Sequence, residues 1–251
     1  MDPKVAVSRA TFLFFVCALL DSLFLLGIGL IVGLNIVIVL PASMVLAVIW
    51  ILFVFRKVDS IILRKINAEP LPARTYPRFV NLVDGVCVAY GFRNPELYIV
   101  QDVAPNMMMV GRKPQHSSLV VTTGLLERVR RTELEGLITH ELSRSRNRTS
   151  YLEGTIAILV AWPWSFLPSL VSKLGLRLID PWVVAETDVA AVALTRYPPG
   201  LAKALENICS DGREPTHNPR FCRHMWVNPP REPLIGSSFS TNDRIAALAE
   251  L

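Results

Sequence analysis

The stretch "LITHELSRSRNR", Leu137–Arg148, is the most informative part of the sequence because it contains most of the motif H-E-x-x-H. In that motif two histidines four residues apart on a helix bind one zinc ion, and the glutamate activates the bound water. Here His140 and Glu141 are present, but Arg144 stands where the second histidine belongs. A guanidinium is always protonated and has no lone pair for a metal. The stretch therefore indicates a zinc-site helix that has lost a ligand.

The N-terminal part of the chain predicts a membrane hairpin. Residues 11–55 contain a single formally charged side chain, Asp21. Because a bilayer core takes about 20 apolar residues per helical span, this run predicts two spans, at residues 11–33 and 36–55, with a reversal near Asn35. A cleaved signal peptide is excluded, since its apolar region would be only about 7–15 residues long.

Basic residues flank the predicted spans on both sides: Lys4 and Arg9 before them, and Arg56, Lys57, Arg64 and Lys65 after them. The positive-inside rule places both flanks in the cytoplasm. We therefore expect an integral protein of a bacterial-type cytoplasmic membrane. Its transmembrane hairpin would occupy residues 1–57, and its cytoplasmic domain residues 58–251.

The overall composition agrees with a membrane-anchored protein and excludes a nucleic-acid-binding one. Hydrophobic residues make up 51% of the chain, and the mean hydropathy is +0.40. The net charge is +5, but the basic residues are scattered and do not form a patch for nucleic acid. The 4 cysteines include no C-x-x-C pair, so we interpret them as free thiols in a reducing compartment.

The rest of the chain predicts an α+β domain. The apolar spacing of residues 78–92 predicts an amphipathic helix, and the alternating or β-branched runs 96–101, 106–112 and 117–126 predict a small sheet of about three strands. The spacing T-x-x-E at Thr132 predicts a capping box that opens the helix carrying His140. Residues 155–175 are apolar but contain two prolines, and we expect them to lie at the membrane interface or to re-enter it.

The order of motifs along the chain resembles the HtpX-like integral-membrane zinc metallopeptidases, which are relatives of the CAAX prenyl proteases. The resemblance covers roughly residues 70–210 and rests on these segments: "NMMMVGR" (Asn106–Arg112), "VVTTGLLE", "ELEGLITHELS" followed by "RNR", and "ETDVAAVALTRYPPGLAKALENI". It implies a zincin-like α+β domain behind a two-helix transmembrane hairpin.

The resemblance also assigns roles to individual positions. It places His140 at the first zinc-ligand position and Glu141 at the general base, while Arg144 replaces the second ligand. Alignment of "DVAAVALT" puts Asp188 at the family's aspartate, which would act behind the ligands. That alignment puts Val184 at the third ligand position, so two of the three protein ligands are replaced.

Other donors offer poor replacements. Glu186 is the candidate substitute ligand, but it lies two residues beyond Val184 and therefore about 200° around the helix. It would point away from the site unless the helix were irregular there. Further donors, which match no common zinc spacing and are interpreted as parts of polar loops, are His217, Cys222, His224 and Cys209.

Loss of the metal would leave carboxylates unpaired inside the protein, which is costly. We therefore hypothesise that the Arg144 guanidinium takes the place of the metal and pairs with both Glu141 and Asp188. The double substitution Arg144→His and Val184→Glu should then permit zinc binding.

The resemblance further implies that one strand pairs with an extended substrate through its backbone, which needs no metal. The residues of this peptide-binding edge are Asn106, Met107, Met108, Met109, Gly111 and Arg112. The methionines would offer an adaptable apolar face. Equally, alternate methionines would simply fill the core.

Two classes of function follow from these observations. In the first, the chain is a catalytically inactive pseudoprotease without zinc that binds peptide segments or a membrane-protein partner at the bilayer. In the second, it is an active zinc-dependent endopeptidase of membrane-protein quality control that uses a replacement ligand. The retained Glu141 is compatible with either class, whereas Arg144 and Val184 favour the first.

Overall fold

The computed structural model describes residues 2–113, 115–161, 179, 182–229 and 240–251. The chain begins with a hairpin of two helices, α1 (Pro3–Ile31) and α2 (Ile36–Lys65). Between them the side chain of Asn35 accepts a 2.9 Å hydrogen bond from the N–H of Val37 and caps α2. Both helices are long and apolar enough to cross a membrane, so the predicted hairpin is confirmed.

The hairpin carries most of the large apolar side chains that are exposed among the described residues. Phe15 is 72% exposed and Ile31 87%, values that suit contact with lipid and not with water. The second helix extends beyond the predicted domain border at residue 57 without a break. Its last turns carry Ile62, which is fully buried in the same core as Trp226, so α2 also belongs to the packing of the following domain.

The following domain contains a four-stranded mixed sheet, one strand more than expected. Its strands are β1 (Glu69–Pro70), β2 (Glu96–Val100), β3 (Met107–Lys113) and β4 (His116–Thr122). Their order is β1-β2-β4-β3. β4 is parallel to β2 and antiparallel to β3, and β1 adds a short antiparallel pair at one edge. β3 therefore lies at the other edge, as the resemblance implied for a peptide-binding strand.

Helices pack on both sides of this sheet. They are α3 (Pro77–Tyr90), α4 (Thr123–Arg128), α5 (Arg131–Arg146), α6 (Thr149–Ile156), α7 (Val183–Thr195), α8 (Pro198–Asp211) and α9 (Thr241–Ala249). A π-helix continues α6 at Ala157–Ala161, and a 3₁₀ helix occupies Arg220–Met225. Helices with a small mixed sheet confirm the predicted α+β class.

The alternation of β3 divides the buried interior into two cores. Met107 and Met109 join the core that contains α3, α5 and α8. Met108 joins the second core, which contains the ends of the hairpin helices, α6 and Trp226. The sheet thus separates a membrane-proximal core from a core built by the domain alone, and β3 contributes to both.

Two regions bear on local predictions: the start of α5 and the apolar residues 155–175. The cap of α5 is formed two residues earlier in sequence than expected: Glu133, and not Glu135, accepts a 3.0 Å hydrogen bond, and its donor is the N–H of Arg130, because the helix begins at Arg131. Of the apolar region at residues 155–175, the part up to residue 159 is buried against the protein. The part at residues 162–175, including both prolines, lies outside the described residues.

Candidate active site

The candidate site lies on α5, a polar helix that is buried on almost every side. From Leu134 to Ser145 only Glu135 is more than marginally exposed. The helix lies between β3 and the helices α6, α7 and α8. Burying polar groups costs free energy unless each has a hydrogen-bond or ion-pair partner. The polar side chains of α5 therefore depend on partners from the surrounding elements.

The ring of His140 lies between the carboxylates of Asp188 and Glu141. Its Nδ1 lies 2.8 Å from Oδ1 of Asp188 on α7, at ion-pair distance although outside hydrogen-bond geometry. Its Nε2 lies 3.9 Å from Oε1 of Glu141. A carboxylate behind one ring nitrogen leaves the other nitrogen for a metal, which is the usual arrangement around zinc-binding histidines. Asp188 therefore lies in the place that the sequence analysis gave it.

Asp188 forms a buried ion pair with Arg244. The guanidinium of Arg244, on α9, donates two hydrogen bonds to the Asp188 carboxylate, at 2.7 and 2.9 Å. It donates a third to the carbonyl of Val227, at 2.7 Å. Burial alone would raise the pKa of Asp188, but Arg244 and His140 outweigh it and hold this pKa well below its ordinary range.

Arg144 occupies the middle of the site. Its guanidinium donates to Oε1 of Glu141 at 2.7 Å and to the Met225 carbonyl at 3.0 Å, and it also pairs with Glu153 of α6. The expected pairing with Glu141 is present. The expected pairing with Asp188 is wrong, because Arg244 already holds that carboxylate and Glu153 supplies the second anion.

The charges around Arg144 do not balance. Burial would lower the pKa of Arg144, but Glu141 and Glu153 raise it, so the guanidinium stays charged. Burial raises the pKa of Glu153 to about 7; Arg144 opposes this shift and the charge of Glu141 adds to it. Two carboxylates thus share one cation, and Glu153 is the one that gains a proton first. Burial and Arg144 also lower the pKa of the adjacent His224 to about 4, so its ring is neutral.

The residues present do not fit a zinc ion. Among the described residues, no group of three or more histidine, cysteine or carboxylate side chains is placed to hold a metal. Val184, at the third ligand position, offers only a half-buried isopropyl group. Glu186 is exposed, as its position around the helix predicted, and so does not replace the missing ligand. Of the three ligand positions that the resemblance implied, only that of His140 carries a metal donor, because the guanidinium of Arg144 cannot bind a metal.

Sequence reasoning missed Glu153, Arg244 and His224. Glu153 carried a signal, because it is an isolated acid in the apolar run "YLEGTIAILV" and such an acid requires a buried cation. Arg244 carried none, since an arginine near a C-terminus is ordinarily solvated. His224 was interpreted as part of a polar loop, whereas its Nε2 lies 3.3 Å from the carbonyl of Glu153, inside the site.

The expectation of an adaptable methionine face on β3 is wrong. Met107, Met108 and Met109 have no exposed surface at all, and they fill the two cores instead. The neighbouring Asn106 is also buried, with its amide bonded to the backbone of Asn228. Gly111 lies on the same strand, paired with Ser117 of β4. The side chain of Arg112 lies outside the described part of the chain.

Comparison with known proteins gives consistent relatives. The chain is 30% identical to a protease HtpX homolog of Dictyoglomus turgidum over 93% of its own length and 84% of the relative's. It is 29% identical to a protease HtpX homolog of Thermoanaerobacter pseudethanolicus, over 85% and 84% of the two chains. For a protease HtpX homolog of Tropheryma whipplei the identity is 30%, over 74% and 76%. No family model and no solved structure matches the chain.

The alignment with the Dictyoglomus turgidum relative covers 93% of the chain and therefore spans both the hairpin and the domain that carries His140 and Glu141. The membrane-type helices, the small sheet and the motif helix agree with what the relatives' names imply. The chain therefore belongs to the HtpX-like family of membrane metallopeptidases.

Proposed function

We propose that this member of the family is a pseudoprotease, which does not cleave peptides and acts by binding. The observation that carries the proposal is the position of Arg144. Its guanidinium lies 2.7 Å from the carboxylate of the candidate base, Glu141, and binds Glu153 as well. In this proposal the guanidinium of Arg144 takes the place of the metal ion that catalysis in the family requires.

The state of Glu141 supports the same conclusion. A general base must reach a water molecule and take up its proton. Glu141 is 0% exposed, and one of its carboxylate oxygens is already bonded to Arg144. Arg144, whose pKa Glu141 and Glu153 raise against the effect of burial, is a permanent partner of that oxygen. The other oxygen, Oε2, is buried without a hydrogen-bond partner among the described residues, so neither oxygen of Glu141 is open to a substrate water.

Binding is the activity that the remaining features allow. The hairpin holds the domain at the bilayer, and the domain faces the cytoplasm if the positive-inside rule applies. The partners we propose are peptide segments of membrane proteins, or an intact membrane-protein partner. Neither would require zinc.

The alternative function is a zinc endopeptidase of membrane-protein quality control. It is what the names of the relatives suggest, but it requires a replacement for two ligands. The exposed Glu186 would have to turn inward by about half a helical circumference, and Arg144 would have to leave two carboxylates unpaired. No contact among the described residues favours either change.

Metal analysis together with an activity assay tests the proposal. The protein, purified in detergent, should contain no stoichiometric zinc and should not cleave casein or a membrane-protein substrate. Glu141→Gln serves as the control, because any cleavage that persists in this variant comes from a contaminant. Stoichiometric zinc together with cleavage that Glu141→Gln abolishes would overturn the proposal.

A gain-of-metal variant tests the positions assigned to the lost ligands. The double variant Arg144→His with Val184→Glu should bind zinc through His140 and the two new side chains. The matched control is Arg146→His with Val184→Glu, because Arg146 lies on the same helix but stacks on Phe92 at the surface. Equal zinc content in the two double variants would show that the assignment of these positions is wrong.

A further inference from the structure

The outer edge of β3 is occupied by the chain itself. Residues Met225–Asn228, here called the closing segment, leave the 3₁₀ helix at Met225 and cross the outer edge of β3, with Trp226 antiparallel to the strand. Trp226 forms a bridge with Met108, and the N–H of Val227 donates to the Met107 carbonyl at 2.8 Å. These are the backbone groups that an added strand would use.

Asn106 extends this pairing beyond the end of β3. Its side-chain amide donates to the carbonyl of Asn228 at 2.9 Å, and its side-chain oxygen accepts the N–H of the same residue at 3.3 Å. One side chain therefore satisfies both backbone polar groups of one residue. The contact binds peptide backbone, and the peptide is a part of the same chain.

The two buried arginines hold the closing segment from the site side. Arg144 donates to the Met225 carbonyl at 3.0 Å, and Arg244 donates to the Val227 carbonyl at 2.7 Å. These carbonyls belong to alternate residues of the segment. The guanidiniums that neutralise Glu141 and Asp188 thus also bind the segment, and so connect it to α5 and α7.

We infer that the closing segment fills the position of an extended peptide on β3. A peptide that binds there must be extended and apolar, like the sequence Met225–Trp226–Val227, and it must displace at least the Val227–Asn228 end. The inference deepens the proposed function and rests on it, because Arg144 binds the segment only as long as no metal replaces its charge. Displacement begins at Asn228, which is bound by the polar side chains of Asn106 and Thr241 and not by a buried tryptophan.

Hydrogen exchange in the full-length, detergent-solubilised protein tests the closure. In the wild type the amides of Val227 and Asn228 should be protected. The substitution Asn106→Ala should speed their exchange at least tenfold, while the amides of β4 keep their protection and show that the fold is intact. The matched control is Asn94→Ala, which removes an asparagine bonded to Asp84 at the surface and should change neither set of amides.

A second variant loosens the closing segment without altering β3. Thr241 donates a 2.6 Å hydrogen bond to the side chain of Asn228, and Thr241→Val removes it at nearly constant volume. Exchange of the Asn228 amide should rise again, by a smaller factor than in Asn106→Ala. This variant keeps the inference testable if Asn106→Ala does not fold.

Peptide binding completes the test. The probe is a fluorescein-labelled peptide with the sequence of residues 223–228, RHMWVN, flanked by lysines, and a scrambled peptide is its control. Thr241→Val, which loosens the closing segment and leaves Asn106 and β3 unaltered, should bind the probe more tightly than the wild type does, by the same factor as the rise in exchange of the Asn228 amide. Equal binding by the two proteins, faster exchange without tighter binding, or unprotected Val227 and Asn228 amides in the wild type would each overturn the inference.

Failure of the inference is distinguishable from failure of the proposed function. Zinc content and casein cleavage report only on the proposed function, whereas exchange and probe binding report only on the closing segment. A zinc-loaded, active wild type with a protected closing segment would overturn the proposed function and leave an occluded protease. A metal-free, inactive wild type with an unprotected segment would overturn the inference alone.

Discussion

Arg144 and Arg244 form two buried clusters that are similar in outline and different in charge. Each guanidinium binds a carboxylate, that of Glu141 on α5 or that of Asp188 on α7, and a carbonyl of the closing segment. Arg244 shares its charge with Asp188 alone, whereas Arg144 is shared between Glu141 and Glu153. The Arg244 cluster is therefore neutral, whereas the Arg144 cluster carries an excess negative charge unless a proton is bound.

The difference distinguishes a structural ion pair from a replacement for a metal. A balanced pair holds both charges at any ordinary pH, which agrees with the lowered pKa of Asp188. A divalent ion among carboxylates would have carried two charges, and one guanidinium supplies only one. Burial raises the pKa of Glu153 and the charge of Glu141 adds to the shift, while the single guanidinium of Arg144 only partly opposes it.

The largest effect is expected from breaking the balanced pair. The substitution Arg244→Met would leave Asp188 buried and unpaired except for His140, and should lower the free energy of unfolding by about 3–5 kcal/mol. Thermal or denaturant unfolding in detergent measures the change. The exposed pair of Lys203 with Glu206 is the control, and Lys203→Met should have no measurable effect. A small effect of Arg244→Met would mean that water reaches Asp188.

A smaller effect is expected at the other arginine, although it has more partners. After Arg144→Met, Glu153 takes up a proton and hydrogen-bonds to Glu141, so the loss should be about 2 kcal/mol near pH 6. Arg144 lowers the pKa of Glu153, so in the variant this pKa rises further and the proton is retained above pH 7. The loss should therefore grow towards pH 8, because the variant continues to lose stability with rising pH where the wild type no longer does. The same measurement on Arg146→Met, an exposed arginine of the same helix, should show little change at either pH. A loss equal to that of Arg244→Met at pH 6 would contradict the charge difference between the clusters.

The smallest effect concerns pH dependence in the otherwise unaltered site. Because the pKa of Glu153 is raised from 4.5 to about 7 on folding, the folded state binds more protons between these values, and stability falls as pH rises through this range. Glu153→Gln keeps an acceptor for Arg144 and removes the titrating group. This variant should therefore lose that pH dependence and match or exceed the wild type in stability at pH 8. An unchanged slope between pH 5 and 8 would show that another group is responsible.

Much of the fold was predictable because its determinants are local. The hairpin follows from the uninterrupted apolar run, and its reversal from Asn35. The four strands follow from alternation and β-branched residues, apart from the two-residue β1, which only its partner strand defines. The predicted start of α5 was wrong because the sequence offers two capping glutamates. The prediction used Glu135 with Thr132, whereas in the structure Glu133 accepts the N–H of Arg130.

The candidate site was predictable only in part. The arginine at the last position of the H-E-x-x-H pattern is visible in the letters of the motif, because coordination chemistry depends on residue type. The assignment of Val184 to a ligand position rests on the family resemblance and stays a prediction. The partners of the new cation were not visible. Glu153 comes from the next helix and Arg244 from the last one, and a contact across such separations depends on how α6 and α9 pack around α5.

The sequence alone therefore determined the membrane hairpin, the α+β class and the departure of Arg144 from the H-E-x-x-H motif, because hydropathy, periodicity and donor chemistry belong to single residues and short segments. The tertiary structure decided which carboxylates surround each arginine and what lies along β3. Those outcomes depend on distances between residues that are remote in the chain, and on the cost of burying charge, which only the packed interior sets. The edge predicted to bind a peptide is paired with Met225–Asn228 for that reason.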